Sequence, residues 1–436
     1  MINSYSQVKS MKPFFVIWTG QAFSLFGSGL VQFALVWYLT QQTGSATVLA
    51  TATLVTFLPD VIFGPYIGAL VDRWSRRIVM MAADGMIALA TVGLAILFFT
   101  GKVDIWHIFV ILFIRALGST FHWPAMQSST SLMVPAEHLS RIAGLNQALR
   151  GAMGIIAPMA GALLLSITPM QGILAIDVGT AAIAITCLLF VVIPQPEQSP
   201  EDKGSALKAM LEGFRYVKAW PGMMLLMLMA TILNFFINPA FSLTPLLITE
   251  HFKGGALQLG WMESAMGLGV VAGGLVLSVW GGFRKRILTT LLGLVVTGLG
   301  VVTIGITPAG YLNIAITSMF VAGFSMPIIN GPLFAILQDK VAPEKQGRVF
   351  TLVSSLSGAA APLGLAIAGP VADWIGVQGW FIIAGVVCLL MAISGPFMHP
   401  IMHLEENGKD LAKASTESKT GLKTIQTDES EASASD

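Results

Sequence analysis

Among the few charged side chains inside the runs of apolar residues, four are candidates for proton coupling: Asp60, Arg115, Arg150 and Glu263. A carboxylate in such surroundings can bind and release a proton, because nearby water and cations decide which of its two forms is more stable. Arginine keeps its charge, so an arginine in an apolar run must face water or an acid. These residue types predict proton coupling, with Asp60 as the first candidate for the proton carrier. A static ion pair that orients helices is the alternative.

Motifs of soluble-enzyme catalysis are absent from the sequence. It contains no HExxH zinc motif, no GxSxG nucleophile motif and no Walker A phosphate loop. No set of residues stands at metal-ligand or nucleophile–base spacing. We therefore expect no enzyme activity, no cofactor, no bound metal and no ATP-driven pumping by this chain alone.

The composition is that of a membrane protein. Of the 436 residues, 55% are hydrophobic and 11% are charged, against about 25% charged in a soluble domain. The apolar residues are too many for one core surrounded by water, so most of them must face lipid or neighbouring helices. The net charge of +1 provides no basic field for nucleic acid. Cys187 and Cys388 cannot form a disulfide framework.

Twelve apolar runs are long enough to cross a bilayer as helices, which takes about 20 residues each. They span residues 14–40, 46–70, 78–100, 105–133, 142–166, 171–193, 222–249, 258–280, 287–307, 311–338, 348–370 and 377–398. Lysine and arginine concentrate in the loops on the side of the N-terminus, and only Lys102 and Lys253 lie in loops on the other side. The positive-inside rule then predicts that both termini are cytoplasmic. We expect an integral protein of the bacterial inner membrane.

The long connection 194–221 divides the runs into two sets of six. It is a predicted cytoplasmic linker between an N-terminal half, 1–193, and a C-terminal half, 222–398. The polar tail, 399–436, is expected to be disordered. Motif residues recur in equivalent positions of the two halves: Arg141 with Arg348, Gly154 with Gly358, and Pro158 with Pro362. Because six is even, both halves start from the same side. This predicts an all-α polytopic membrane protein with twelve transmembrane helices in two parallel six-helix repeats, and a binding site between them.

Two further motifs predict moving parts. The loop after the second run contains the motif residues Gly68, Asp72, Arg73, Arg76 and Arg77. An acid there can pair with arginines or with a helix N-terminus and form a breakable cytoplasmic gate; a plain topology anchor is the alternative. The fifth and eleventh runs contain the helix-bending candidates Gly154, Pro158, Gly358 and Pro362. Such residues let helices bend, although close packing alone also uses them.

Aromatic rings and isolated polar groups lie inside several runs. The candidates for substrate contact are Phe26, Gln32, Phe33, Trp37, His122, Trp123, Asn234, Phe235, Asn238, Phe241 and Asn330. Aromatic faces with few polar groups suit a bulky lipophilic or amphipathic small molecule. Taken singly, each residue is more often a helix-packing residue than a ligand contact.

The motif from Gly68 to Arg77 resembles the G-x-x-x-D-R-x-G-R-R/K signature of the major facilitator superfamily, with Ser75 in place of the second glycine. The strings GQAFSL, TFLPDVIFGPYIGALVDRWSRR, LFIRALGSTFHWPA and QGRVFTL resemble its drug:proton antiporter branch, which contains macrolide-efflux proteins and enterobactin exporters. The resemblance implies the major facilitator fold and a role for Arg115 in proton coupling.

The same resemblance implies proton-coupled export of lipophilic or amphipathic small molecules, such as macrolide-like drugs, by alternating access of the two halves. The partners would be the substrate, protons and the lipid bilayer, with no nucleic acid. A monomer suffices, because one chain contains both halves. Two alternatives stay open: export of an endogenous siderophore or metabolite, and a non-transporting membrane sensor or scaffold that signals through its tail.

Overall fold

The computed structural model describes residues 11–194, 217, 218, 220–341 and 343–404. Within these residues, twelve helices are long and apolar enough to cross a membrane, which confirms the predicted all-α chain. The helices are α1 (Lys12–Thr43), α2 (Ala46–Arg73), α3 (Arg76–Thr100), α4 (Ile105–Met133), α5 (Leu139–Ile167), α6 (Met170–Phe190), α7 (Pro221–Ser242), α8 (Ala256–Trp280), α9 (Arg286–Ile306), α10 (Leu312–Lys340), α11 (Pro343–Ile375) and α12 (Val377–Ser394). Short helical turns are Ala136–His138, Thr244–Leu246, Leu247–His251, Gly395–Phe397 and His399–Met402.

Glycine ends three of the long helices. Gly44, Gly101 and Gly281 follow α1, α3 and α8 with φ angles of 56°, 66° and 74°. This left-handed conformation is accessible to glycine without steric cost. The amide of Gly44 donates to the carbonyl of Thr40 at 3.0 Å, which satisfies one of the last carbonyls of α1. A short connection such as the one after α1 makes consecutive helices antiparallel neighbours.

The seventh helix is shorter than the apolar run 222–249 predicts. α7 ends at Ser242, and the chain continues through the turn Thr244–Leu246 and the π-helical turn Leu247–His251. Pro245 is the physical reason, because it has no N–H to donate to the carbonyl of Phe241 and its ring would clash with that carbonyl. The break leaves Phe241 and Pro245 together on the wall of a cavity.

The two halves have the same internal arrangement. In the N-terminal half, α1 packs against α6, and α3 packs against both α4 and α6. In the C-terminal half, α7 packs against α12, and α9 packs against both α10 and α12. Each of these contacts recurs six helices later, which confirms the parallel repeat. Between the halves, α5 packs against α8 and α2 packs against α11, and the repeat also relates these two contacts to each other.

Small residues bring α5 and α8 close together. A Cβ atom at Gly267 of α8 would lie 2.9 Å from the Ile155 side chain and 3.2 Å from the carbonyl oxygen of Gly154. Glycine therefore permits an approach of the two backbones that a larger residue would prevent. Ser264 donates a hydrogen bond to the carbonyl of Ile155 at 2.8 Å. The crossing joins the two halves of the molecule.

The first residues after α12 differ from the disorder expected for 399–436. His399–Met402 forms a helical turn, and the side chains of Ile401 and Leu404 are fully buried. Gly222 of α7 lies directly against the carbonyl of Pro400 and the Leu404 side chain. Removing two aliphatic side chains from water stabilises this turn. Residues 405–436 and most of the predicted linker 194–221 lie outside the described residues.

Candidate functional site

A cavity of about 660 Å³, which we call the first cavity, lies between the two halves. Its walls come mainly from α1, α2, α4 and α5 of one half and from α7, α8 and the turn between them in the other. Three of the charged candidates line it: Asp60, Arg115 and Glu263. Five other predicted residues also line it: Gln32, Phe33, Phe241, Gly154 and Pro158. Its volume is in the range of sites for drug-sized molecules.

Arg115 has an acidic partner inside the protein. Its guanidinium lies 2.5 Å from Oδ2 of Asp177, and the two side chains are 8% and 1% exposed. The hydroxyl of Thr91 donates to the same carboxylate oxygen at 2.9 Å and also accepts a hydrogen bond from Arg115. Ser28 donates to the other oxygen at 3.3 Å. The pair cancels the charge of Arg115, so the net charge of the first cavity depends on its remaining carboxylates.

Asp60 and Glu263 are those carboxylates, one from each half. Both line the first cavity, Asp60 with an exposed side chain and Glu263 with a half-buried one. Neither forms an ion pair with any residue of the described ranges. Each can therefore gain or lose a proton without the loss of such a pair.

A second cavity of about 310 Å³ adjoins the first, within the N-terminal half. Four residues line both: Leu25, Ser28, Ile87 and Ser119. Arg150 and Trp123, two of the predicted site residues, line the second cavity, where the guanidinium carbon of Arg150 lies 3.6 Å from the centre of the Trp123 ring. This cation–π contact holds the arginine against an aromatic face. The structure therefore separates Arg150 from Asp60, which lines only the first cavity.

An acid and a histidine also meet in the second cavity. Asp84 is buried and accepts a hydrogen bond from the side-chain amide of Gln21 at 2.9 Å. Nε2 of His122, a predicted substrate residue, lies 3.7 Å from the other Asp84 oxygen. Trp18 and Asn146 complete this part of the wall, joined by a hydrogen bond of 2.7 Å. The second cavity therefore has its own titratable groups.

Six predicted substrate residues line neither cavity: Phe26, Trp37, Asn234, Phe235, Asn238 and Asn330. The amide of Asn238 donates to the side-chain oxygen of Asn234 at 2.7 Å, and Asn330 donates to the carbonyl of Met326 at 3.1 Å. Phe26 and Trp37 pack against the large apolar core, and the ring of Phe235 lies edge-on to Phe236 at 5.0 Å. Asn330 is exposed, whereas the other five are at least half-buried among the helices. The contact of all six with a substrate stays a prediction.

The predicted cytoplasmic gate is described only in part. The structure does not describe the side chains of Asp72 and Arg73 or the surroundings of Gly68. Nε of Arg76 donates to Ser128 of α4 at 2.9 Å, and Arg77 donates to the carbonyl of Leu189 of α6 at 2.5 Å. These contacts fasten the start of α3 within its own half. In α11, Pro362 lies inside the helix, whereas Gly358 is exposed and has open space around it in the described structure.

Comparison with known proteins identifies the family. Residues 17–354 and 223–429 match the model of the Major Facilitator Superfamily. The chain belongs to this superfamily. It is 36% identical over 393 residues to Macrolide efflux protein A of Streptococcus pyogenes, covering 90% of this chain and 97% of that protein. It is 26% identical to Multidrug efflux pump Tap of Mycolicibacterium fortuitum, covering 87% and 94% of the two chains. A solved POT family transporter in complex with a thioalcohol-conjugated peptide has a TM-score of 0.72 at 14% identity, covering 92% and 100%.

Membership of the Major Facilitator Superfamily confirms several expectations. The chain is an integral membrane transporter that acts on small molecules, and it is not an enzyme. The resemblance to macrolide-efflux proteins is also confirmed. The interpretation as a sensor without transport is set aside, because the relatives are transporters.

Some lining residues of this Major Facilitator Superfamily transporter escaped the sequence analysis. Thr53 and Thr56 line the first cavity on the same face of α2 as Asp60, and Ser28 lines both cavities. The signal was present, because these threonines precede Asp60 by seven and four residues, a helical spacing. A single hydroxyl in an apolar helix is common, so only the spacing relative to a charged residue marks such positions.

Proposed function

We propose that this chain is a proton-coupled efflux transporter that exports lipophilic or amphipathic small molecules, including macrolide-like drugs, by alternating access. The observation that carries the proposal is the first cavity, which lies between the halves and contains Asp60 and Glu263. Similarity to a macrolide efflux protein and to a multidrug efflux pump supports the direction and the substrate class. We assign the transporter to the bacterial inner membrane, as a functional monomer with both termini in the cytoplasm.

Contacts at the two ends of α2 support an inward-open state. At its start, the Asp373 carboxylate of α11 accepts hydrogen bonds from the backbone amides of Ala46 and Thr47, at 2.7 and 3.0 Å. It also accepts from the hydroxyls of Ser45 and Thr47, at 3.1 and 2.6 Å. Towards the other end of α2, several apolar side chains are exposed: Val61, Ile62, Phe63 and Tyr66. With cytoplasmic termini, the closed end is the outer one.

In this proposal, the charge of the first cavity couples proton binding to substrate binding. Protons bind Asp60, with Glu263 assisting, once the cavity opens to the outside; loss of the carboxylate charge weakens substrate binding and favours return to the inward-open state. One charge moved across about 100 mV is worth about 2.3 kcal/mol, and a tenfold gradient costs about 1.4 kcal/mol. One proton per cycle therefore sustains a gradient of about fifty-fold without ATP.

The test is energised efflux of a panel of macrolides and fluorescent dyes from cells that express wild type or Asp60→Asn, with and without a protonophore. We expect wild type to export at least one compound. The protonophore and Asp60→Asn should each abolish net efflux, because the gradient or its carrier is lost. Purified Asp60→Asn should still bind the compound, but more weakly than wild type, because the variant lacks the carboxylate charge that favours substrate binding.

Two further variants control for damage to the cavity wall. Asp60→Glu keeps a titratable group and is expected to retain efflux. Thr56→Val alters the same face of α2 without removing a titratable group, so its efflux is expected to stay dependent on the proton gradient. Normal pumping by Asp60→Asn would overturn Asp60 as the proton carrier. Absence of any exported compound from wild type would overturn the proposed drug efflux.

A further inference from the structure

The Asp84–His122 pair in the second cavity contains a buried nitrogen atom without a hydrogen-bond partner among the residues that the structure describes. Asp84 is 3% exposed, and one of its oxygens accepts a hydrogen bond from Gln21. The other oxygen lies 3.7 Å from Nε2 of His122. This nitrogen is buried and has no hydrogen-bond partner in the described part of the chain. Because an unsatisfied buried polar atom is destabilising, the pair has a position for one more hydrogen.

We propose that Asp84 and His122 form a second proton-binding site, which carries protons between the first cavity and the cytoplasmic water. The inference rests on the proposed proton-coupled export and adds a site that the export mechanism above does not use. With a proton on Nε2, the His122 imidazolium donates a charge-assisted hydrogen bond to Asp84. When that proton passes to water in the second cavity, His122 becomes neutral and Asp84 keeps its bond from Gln21. Only N–H and O–H bonds are made and broken.

A stripe of polar side chains along α1 connects this pair to the first cavity. Gln21, Ser24, Ser28 and Gln32 are three or four residues apart, so they share one helix face. Gln21 and Ser24 line the second cavity, Ser28 lines both, and Gln32 lines the first. Hydroxyl groups both donate and accept hydrogen bonds, and polar cavities of this size hold water. The stripe therefore supports a chain of waters between the two proton sites.

Other charged groups near Asp84 are already engaged. Asp177 of α6 pairs with Arg115 of α4 at 2.5 Å. Arg150 of α5 also lines the second cavity, where it stacks on a tryptophan ring. Gln21 and Ser24 of α1 are uncharged. Among the described residues, His122 is the basic group within 4 Å of the Asp84 carboxylate.

A purely structural Asp84 would do no more than hold α3 to α1 through Gln21. Asparagine at this position keeps an oxygen that can accept the hydrogen bond from Gln21, but it cannot bind a proton near neutral pH. Glutamate keeps the titratable carboxylate and changes its position slightly. The two substitutions therefore separate a structural role from proton binding.

The test uses the full-length protein in inside-out proteoliposomes, with radiolabelled erythromycin as the probe. Counterflow at equal pH exchanges labelled for unlabelled probe without net proton movement. Concentrative uptake into an acidic lumen requires proton coupling. Protein-free liposomes measure the passive trapping of the macrolide amine, which is subtracted. For Asp84→Asn we expect wild-type counterflow; for His122→Gln, at a candidate substrate contact, the expected result is a much larger loss of gradient-driven uptake than of counterflow. Gradient-driven uptake should fall by about 10²-fold, the lower end of what a positioned proton-transfer group contributes to a rate. Asp84→Glu should restore it.

Gln127→Ala is the matched control, because Gln127 lines the second cavity without a titratable group; it should behave as wild type in both assays. The inference is overturned if Asp84→Asn and His122→Gln retain gradient-driven uptake. If Asp84→Asn does not assemble, His122→Gln decides alone. Absence of wild-type counterflow instead overturns erythromycin transport, and thus the proposed function. Wild-type counterflow without gradient-driven uptake overturns proton coupling and this inference together.

Discussion

The Arg115–Asp177 ion pair holds two opposite charges at the wall of the first cavity. Thr91 and Ser28 complete the hydrogen bonds of the carboxylate. Such a buried pair adds little net stability, but breaking it is costly because the remaining charge stays buried without a partner. In the proposed mechanism this pair stays intact, and the carboxylates of Asp60 and Glu263 carry the change of charge in the first cavity.

We expect Asp177→Asn to destabilise the protein by about 3–5 kcal/mol, because it leaves the buried charge of Arg115 uncompensated. Thermal unfolding of the purified protein in detergent measures the effect. The double variant Arg115→Met/Asp177→Leu removes both charges and should be more stable than either single variant. A double variant less stable than both single variants would contradict this interpretation of the pair.

At the scale of helices, the crossing of α5 and α8 depends on glycine. A Cβ at Gly267 would meet Ile155 at 2.9 Å, whereas a Cβ at Gly274 of the same helix meets no atom within 4 Å. Gly267→Ala should therefore lower the free energy of unfolding by about 1–3 kcal/mol through overpacking and reduce efflux. Gly274→Ala is the control and should leave both unchanged. Unfolding temperatures and efflux rates check this, and equal behaviour of the two variants would count against the close crossing.

The contact between α2 and α11 leads to a second prediction at the scale of helices, which concerns the closed outer end. Asp373→Ala removes the carboxylate that caps the start of α2, and such a cap is worth about 1 kcal/mol. The ratio of molecules with an open outer end to molecules with a closed one should therefore rise by about fivefold. Ala50 is 2% exposed beside Gly369, so Ala50→Cys can report the opening. Its alkylation by a membrane-impermeant maleimide should become faster, in a background where Cys187 and Cys388 are serine.

Asp104→Ala is the control for this experiment. Asp104 precedes α4 at the same end of the molecule, and its side chain lies 3.8 Å from His107 of the same half. Its substitution should leave alkylation of Ala50→Cys unchanged. Equal rates in the Asp373→Ala and Asp104→Ala backgrounds would show that Asp373 does not hold the halves together.

At the scale of the whole molecule, both cavities and both halves lie within residues 11–404. Deletion of 405–436 should therefore leave efflux unchanged. Deletion of 399–436 also removes Ile401 and Leu404, whose burial contributes about 1.5–3 kcal/mol each, and should lower the unfolding temperature. Efflux and thermal unfolding of the two truncations check this. Loss of efflux in the shorter deletion would restore a role for the tail in function.

Much of the candidate site follows from the sequence, and the rest does not. Asp60, Arg115 and Glu263 stand out as charges in apolar helices, and all three line the first cavity. The separation of Arg150 from Asp60 was not predictable, because a position along a helix gives depth but not the identity of the neighbouring helix. For the same reason, Asp84 and Asp177 could not be matched with His122 and Arg115.

The sequence by itself determined the membrane class, the twelve spans and the six-plus-six repeat, because length and hydropathy decide these properties locally. Only the tertiary structure decided which helices meet, that Pro245 ends α7 early, and that the polar groups divide between two adjoining cavities. The physical reason is the solvent. Lipid is as apolar as the faces between helices, so hydrophobic patterning shows that a helix crosses the membrane but not which of its faces contacts protein.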